Sequence, residues 1–228
     1  MNYATLFKTI QAYTENQFPD TLVVDDSATD VDFTNAEQIN TFIRQAEQRI
    51  YNSVQMPVMR KNVTGSCTTG NKYLATPSDW LSTFSLAAIH PTTNAQTFLL
   101  NKDVEFIREA FPDPDSEYYG TPQYYAIFDQ NTFILGPTPD ADYDMELHYY
   151  SYPQSIVDAG TSWLGSNFDS VLLYGSLLEA YAFMKGEQDV NENYVARYNE
   201  GLAMLKQLTE GKNRTDNYRT TQARVQVR

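Results

Sequence analysis

Two stretches of this 228-residue chain carry acidic side chains at the spacing of a cation-binding loop. Asp113-Pro114-Asp115-Ser116-Glu117 and Asp140-Ala141-Asp142-Tyr143-Asp144 both place carboxylates at alternate positions, as a calcium loop does when it wraps one hard cation in oxygen ligands. That loop also needs glycine at its sixth position and a bidentate glutamate at its twelfth. The first stretch has Tyr118 and Tyr124 there and the second Met145 and Ser151, so both read as solvated turns. Acid–base chemistry fares no better. His148 lies in a tyrosine-rich segment, and no activated nucleophile or acid can be assigned to it, so it reads as a surface or interface histidine. It and His90 are the only histidines and Cys67 the only cysteine, which leaves neither a zinc set nor an intrachain disulfide. No Gly-rich phosphate loop precedes a helix, and there is no Gly-x-Ser-x-Gly elbow. The expectation is a protein that is not an enzyme and has no catalytic residues, metal or cofactor.

Binding chemistry has more to work with. Eight of the 17 tyrosines fall between Tyr118 and Tyr152. Aromatic rings on a sheet can stack sugars or bases, but tyrosine is also favoured in strands and at protein interfaces. Core and subunit interface is the leading reading, and a carbohydrate- or receptor-binding β module the alternative. Charge is divided unevenly. Of 16 bases and 29 acids, residues 212–228 hold five bases and one acid, so this tail carries +4 and the rest −17. The acidic body should repel nucleic acid, whose binding is driven by Lys and Arg. The tail suits an acidic partner or another copy of the chain. At its end Thr221, Ala223, Val225 and Val227 alternate with Gln222, Arg224, Gln226 and Arg228, which fits either a strand added to a partner's sheet edge or a solvated tail.

These residues must be positioned by the elements around them. The dominant stretch runs from Trp163 to Gly211. Ser166, with Asp169 three residues on, is expected to cap a helix from Phe168 to Met184 that is apolar on most sides, with Asp169, Ser176 and Glu179 as a narrow polar stripe. A helix this apolar is buried in a large core or shared with another subunit. After a turn at Gly186-Glu187-Gln188-Asp189, Asp189 and Glu192 are expected to cap a second helix with Tyr194, Val195, Tyr198, Leu202, Leu205 and Leu208 on one face. Gly175 and Gly201 fall at the same height of this hairpin, so either the two backbones approach closely there or each glycine faces something else.

Upstream, Leu6, Ile10 and Tyr13 predict a helix over 5–17, ended by Phe18-Pro19. Asp20 to Asp32 reads as an exposed connection. Thr34 and Glu37 form a capping box before the apolar face Ile39, Phe42, Ile43, Ala46, Ile50 and Val54. Strands are expected at 58–63, 72–75 and 85–89 around a Gly65–Gly70 turn, with Pro77-Ser78-Asp79-Trp80-Leu81 a rigid turn carrying a bulky anchor. Asn101 is expected to cap a helix over 102–111. Residues 123–128 and 132–135 form a hairpin, and 143–150 alternate as a half-buried strand with one wet face. The fold class is α+β: a helical bundle from the N- and C-terminal helices, an inserted antiparallel β-sheet or sandwich domain, and an extended C-terminal tail. The expected domains are 1–56 with 155–211, 57–154, and the tail 212–228. No run approaches the roughly 20 apolar residues of a membrane span, and Met1 to Ile10 lacks a secretory signal, so the chain reads as cytoplasmic at synthesis.

The order of these pieces resembles a known family. Thr34-x-x-Glu37 followed by Ala46-Glu47-Gln48-Arg49-Ile50, then Leu74-Ala75-Thr76-Pro77-Ser78-Asp79-Trp80-Leu81, Gly120-Thr121-Pro122-Gln123-Tyr124-Tyr125-Ala126-Ile127, Leu135-Gly136-Pro137-Thr138-Pro139, a Tyr-Tyr strand and Trp163-Leu164 before an apolar helix are similar to the adaptor (head-to-tail connector) proteins of tailed phages. The match spans about residues 34–211 and leaves 1–33 without a counterpart. The resemblance implies a structural virion protein in the neck or tail region, assembled in the host cytoplasm. It implies a homo-oligomeric ring, usually of twelve copies, joined to the portal protein and to a tail or nozzle protein, with DNA passing through without specific binding. It further implies portal docking by the tail residues Lys212, Arg214, Arg219, Arg224, Val225, Val227 and Arg228. Subunit contact is expected at Leu173, Tyr174, Leu177, Leu178 and Tyr181. A neck component that does not touch the portal is the other reading from the same setting.

Overall fold

A computed structural model describes residues 1–24, 30–112 and 116–213. Among them the fold is α+β, and the chain divides into two units, Met1–Pro57 with Pro153–Arg228, and Val58–Tyr152.

The first unit is organised on its most apolar helix. Helix α1 (Tyr3–Thr14) begins where the Asn2 side chain accepts from the Thr5 amide at 2.9 Å, and it ends at Glu15, which takes a left-handed φ of 49°. It therefore lies earlier than its apolar spacing suggested, because both ends are set by caps. Strands β1 (Thr21–Val24) and β2 (Asp30–Phe33) pair antiparallel where the sequence suggested only a connection. Helix α2 (Asn35–Ser53) starts on the expected capping box, with Thr34 and Glu37 bonded reciprocally. Gln38, buried on α2, donates to the carbonyls of Pro19 and Phe33 at 3.0 and 3.1 Å, and so ties both ends of the β1–β2 hairpin to the helix.

Beyond the other unit come α4 (Ile156–Ala159), α5 (Trp163–Asn167), α6 (Asp169–Met184) and α7 (Gln188–Asn213). Ser166 is not the cap of α6. Ser162 caps α5 instead, accepting from Gly165 at 3.0 Å, and Phe168 stands between the helices with its amide on the Leu164 carbonyl. The left-handed turn after α6 falls on Lys185, and α7 begins at Gln188, whose side chain bonds Glu192, so Asp189 and Glu192 lie inside the helix. Helix α6 packs against α1, α2, α5 and α7. Four neighbours on different sides explain why it is apolar nearly all round. Val171, Leu172, Leu173, Leu177 and Ala180 are buried, each large one contributing about 1.5–3 kcal/mol. Ser176 is buried among them and satisfies its hydroxyl on the Leu172 carbonyl at 2.8 Å.

Gly175 and Gly201 do not meet. A Cβ on Gly175 would lie 3.2 Å from Ala46 and 3.2 Å from the Tyr198 ring, and one on Gly201 would lie 2.7 Å from Val171 Cγ2. Each glycine is a notch for a large side chain of the facing helix, and the notches are staggered by about a turn.

The second unit is a sandwich. Strands β3 (Arg60–Cys67), β5 (Ser82–Ile89), β6 (Gln96–Phe98) and β10 (Tyr143–Tyr150) form one sheet in the order β3-β10-β5-β6. Strands β4 (Tyr73–Ala75), β7 (Leu100–Asn101), β8 (Tyr124–Asp129) and β9 (Thr132–Gly136) form the other in the order β4-β9-β8-β7. Between them pack Leu86, Met145, Leu147 and Tyr149 from the first sheet and Tyr125, Phe133 and Leu135 from the second, with Trp80 edge-on to Phe133 at 5.4 Å. Strand β3 runs on through Gly65 to Cys67, which shortens the expected turn. The sheets are not wholly antiparallel, since β7 pairs parallel with β8. Asn101 lies in β7 rather than capping a helix, and helix α3 (Val104–Ala110) forms the crossover between the parallel strands. It covers the outer face of the second sheet through Ile107 against Ala126 and Ile134.

Candidate assembly surface

The first unit leaves a stripe of α6 only half-covered. Tyr174, Leu178 and Tyr181 recur at intervals of four and three, which places them on one face of the helix, and all three are half-buried. Leu173 and Leu177, from the same expected interface set, point into the subunit's own core. Tyr194 of α7 joins the stripe, with its ring 5.9 Å from Tyr174 and 5.0 Å from Tyr181. Burial among these rings, with hydrogen bonding to Tyr181 and the nearby Tyr13 and Tyr174, pushes the Tyr194 phenol up to about 12. Tyr194 therefore keeps its proton at any physiological pH. Arg197 lies over the Tyr174 ring at 5.8 Å, and its Nε donates to Asn193 at 3.2 Å. Tyrosine with a stacked arginine, partly desolvated and uncharged at the centre, is the composition of a protein-binding surface.

A second apolar spot lies on the opposite side of α6. Phe183 is 53% exposed and packs against Phe42 of α2 at 5.4 Å and against Phe18 at 6.4 Å. Phe18 is only 1% exposed although its φ is 47°, so burial of the ring offsets a backbone conformation unfavourable for a bulky residue. The same side of α6 carries Glu179, ion-paired with Arg49 of α2. Lower on α2, burial pushes the Glu47 carboxyl above the usual carboxylate range, opposed by hydrogen bonds from Ser155 and the Ile156 amide, the latter at 3.0 Å. Glu47 thus closes the N-terminus of α4 from inside the bundle.

In the second unit the residues with chemical potential are spent on structure. Asp140 accepts from the Tyr143 hydroxyl at 2.6 Å, and Asp142 accepts from the amide and hydroxyl of Thr69 at 2.7 and 3.0 Å. Asp79 accepts from Tyr149 at 2.8 Å and pairs with Lys61 at 2.6 Å. The Lys61 contact holds the Asp79 carboxyl below its usual range, while burial raises the Tyr149 phenol to about 12, so the tyrosine keeps its proton. His90 accepts at Nδ1 from the Thr92 amide, and His148 lies edge-on to Phe84 at 5.0 Å. Among the tyrosines from 118 to 152, Tyr125, Tyr143 and Tyr149 are core residues. Tyr124 packs with Phe106 and Phe111 on the α3 side, and Tyr150 with Phe84 on the other sheet. They do not share a face.

Of the expected tail residues, Lys212 lies in α7 and Arg214, Arg219, Arg224, Val225, Val227 and Arg228 lie outside the described residues, as does the first acidic turn at its Asp113 and Asp115. The helical period flagged Tyr174 and Tyr181 but not Tyr194 as their neighbour, since pairing across a hairpin depends on how its two helices rotate against each other. Among the described residues no helix is long and apolar enough to cross a membrane. Compared with known proteins, residues 1–227 match the family model described as SU10 adaptor protein, which takes in the N-terminal 33 residues as well. No curated protein matches the chain.

Proposed function

The chain belongs to the SU10 adaptor protein family, a structural phage adaptor family rather than one of enzymes, and from that premise we propose how it works: as one subunit of a ring, of twelve copies, joining the portal of the capsid to the tail and enclosing part of the DNA channel. The observation that carries the reading is the stripe of Tyr174, Leu178 and Tyr181 with Tyr194, an uncharged aromatic surface that the subunit's own helices leave half-covered. In a ring this stripe is covered by the next copy, with Arg197 at its rim. Leu173 and Leu177 support that interface from beneath, as core residues that hold α6 in place. The charge balance supports a channel wall. A body of −17 outside the tail repels a duplex and lets it slide without sticking. Portal docking belongs to the basic tail from Lys212 onward in this reading.

A pair of substitutions tests the ring. Leu178→Asp is expected to leave a folded subunit, by circular dichroism and melting, that no longer forms rings on isolated portals under the electron microscope. Leu177→Asp is expected to abolish folding, because its side chain is fully enclosed. Rings that assemble normally from Leu178→Asp subunits would overturn the assignment of this surface.

A further inference from the structure

The second unit has an edge that its own strands leave unfinished. Among the described residues β3 pairs with β10 on one side only, over eight positions from Arg60↔Tyr150 to Cys67↔Tyr143 and without a register shift. Its charges, Arg60 and Lys61, stand at its beginning. Residues 62–67 carry no charge, no proline and no bulge, the devices that ordinarily blunt a sheet edge. The inward face is also incomplete. Val63 stands opposite the core residue Leu147 and is nonetheless 39% exposed, and a Cβ added to Gly65 would meet nothing within 4 Å. The gap beside them is a cleft of about 220 Å³ lined by Val63, Gly65, Leu74, Pro77, Met145 and Leu147. On the outward face the neighbouring strand presents Asp144 and Glu146, the latter accepting from Asn62 and Gln96 at 2.7 and 2.8 Å.

We propose that β3 is completed by residues 221–228 of a second copy of this chain, added as a further strand. The segment has the matching pattern: Thr221, Ala223, Val225 and Val227 supply small side chains at alternate positions for the cleft, and Arg224 and Arg228 supply positive charge for the acidic outer rows. Main-chain hydrogen bonds give such a strand its affinity, and pockets for alternate side chains its specificity. The inference rests on the reading of the protein as a multi-copy ring, and it narrows the tail's portal docking to residues 212–220, because 221–228 go to a neighbouring subunit instead.

The experiment uses full-length protein assembled on portals from two differently tagged copies, one carrying Thr64→Cys on the outward face of β3 and the other Gln222→Cys, Arg224→Cys or Gln226→Cys in turn. Cβ atoms directly opposite on paired strands lie about 4.5–5.5 Å apart, within reach of a short thiol cross-linker, and the native Cys67 is buried. The expected result is a band joining the two tags from at least one pairing. Adding Gly65→Leu to the Thr64→Cys copy fills the cleft and is expected to weaken that band about tenfold, the loss that follows when inward side chains have no room. Rings without a band between the tags, or tail cysteines that cross-link to the portal instead, would overturn the strand addition and leave the adaptor reading standing. Absence of rings on portals would overturn both.

Discussion

Gly201 is the most informative position for testing how the helical unit is packed. Substituting alanine in a helix interior ordinarily stabilises by about 1 kcal/mol. Here the new methyl would lie 2.7 Å from Val171 Cγ2, closer than any relaxed contact, and Val171 cannot yield, being β-branched, helical and fully buried. Overpacking of this kind costs about 1–3 kcal/mol, so Gly201→Ala should be destabilised by about 0–2 kcal/mol net. At about 2–4 °C per kcal/mol for a chain of this size, a melting temperature a few degrees below wild type is expected. Val171→Ala alone should cost about 1.5–3 kcal/mol through lost burial and the cavity left behind. Combining the two places the new methyl in that cavity, so the double variant should be more stable than the sum of the singles by about 1–2 kcal/mol. Thermal melts of all four proteins read the coupling directly. A Gly201→Ala protein that melts above wild type, with no coupling to Val171→Ala, would refute the notch-and-knob packing of α6 on α7.

Other measurements bear on separate joints. Glu47→Gln keeps the oxygen that accepts from Ile156 but removes the buried charge. Because the folded-state pKa of Glu47 is raised, its stabilising contribution is complete below the unfolded value and is lost as pH rises through the folded one. The variant should therefore gain on wild type in melts from pH 4 to pH 8, and a constant difference across that range would contradict the burial. Thr34→Ala removes the Oγ that caps α2 and should cost about 1 kcal/mol by urea titration. Phe18→Ala empties the socket between Phe42 and Phe183 and should cost about 3–5 kcal/mol in the same assay, whereas a loss under 1 kcal/mol would show that the ring does not anchor this segment.

Much of this molecule is decided locally and so is legible in its residues. The capping box at Thr34 and Glu37, the alternation from Tyr143 to Tyr150 and the hairpin across Asp129-Gln130-Asn131 each depend on neighbours within a few positions, and the α+β class follows from them. The excess of apolar residues on α6 was visible too. What the chain alone could not decide was where that excess goes, since enclosure by α1, α2, α5 and α7 and exposure to another subunit produce the same sequence pattern. Tertiary packing sorts the five expected contact residues, turning Leu173 and Leu177 into the core and leaving Tyr174, Leu178 and Tyr181 at the surface beside Tyr194. The roles of Gly175 and Gly201 likewise depend on the stagger between helices, which no single helix encodes. The same holds for β3: its alternation is local, but whether its inward side is covered depends on how the opposite sheet packs beside it, and a cleft remains there between Val63, Gly65 and Leu74. Local chemistry chooses the elements, and the faces they leave uncovered exist only once every element has found its neighbours.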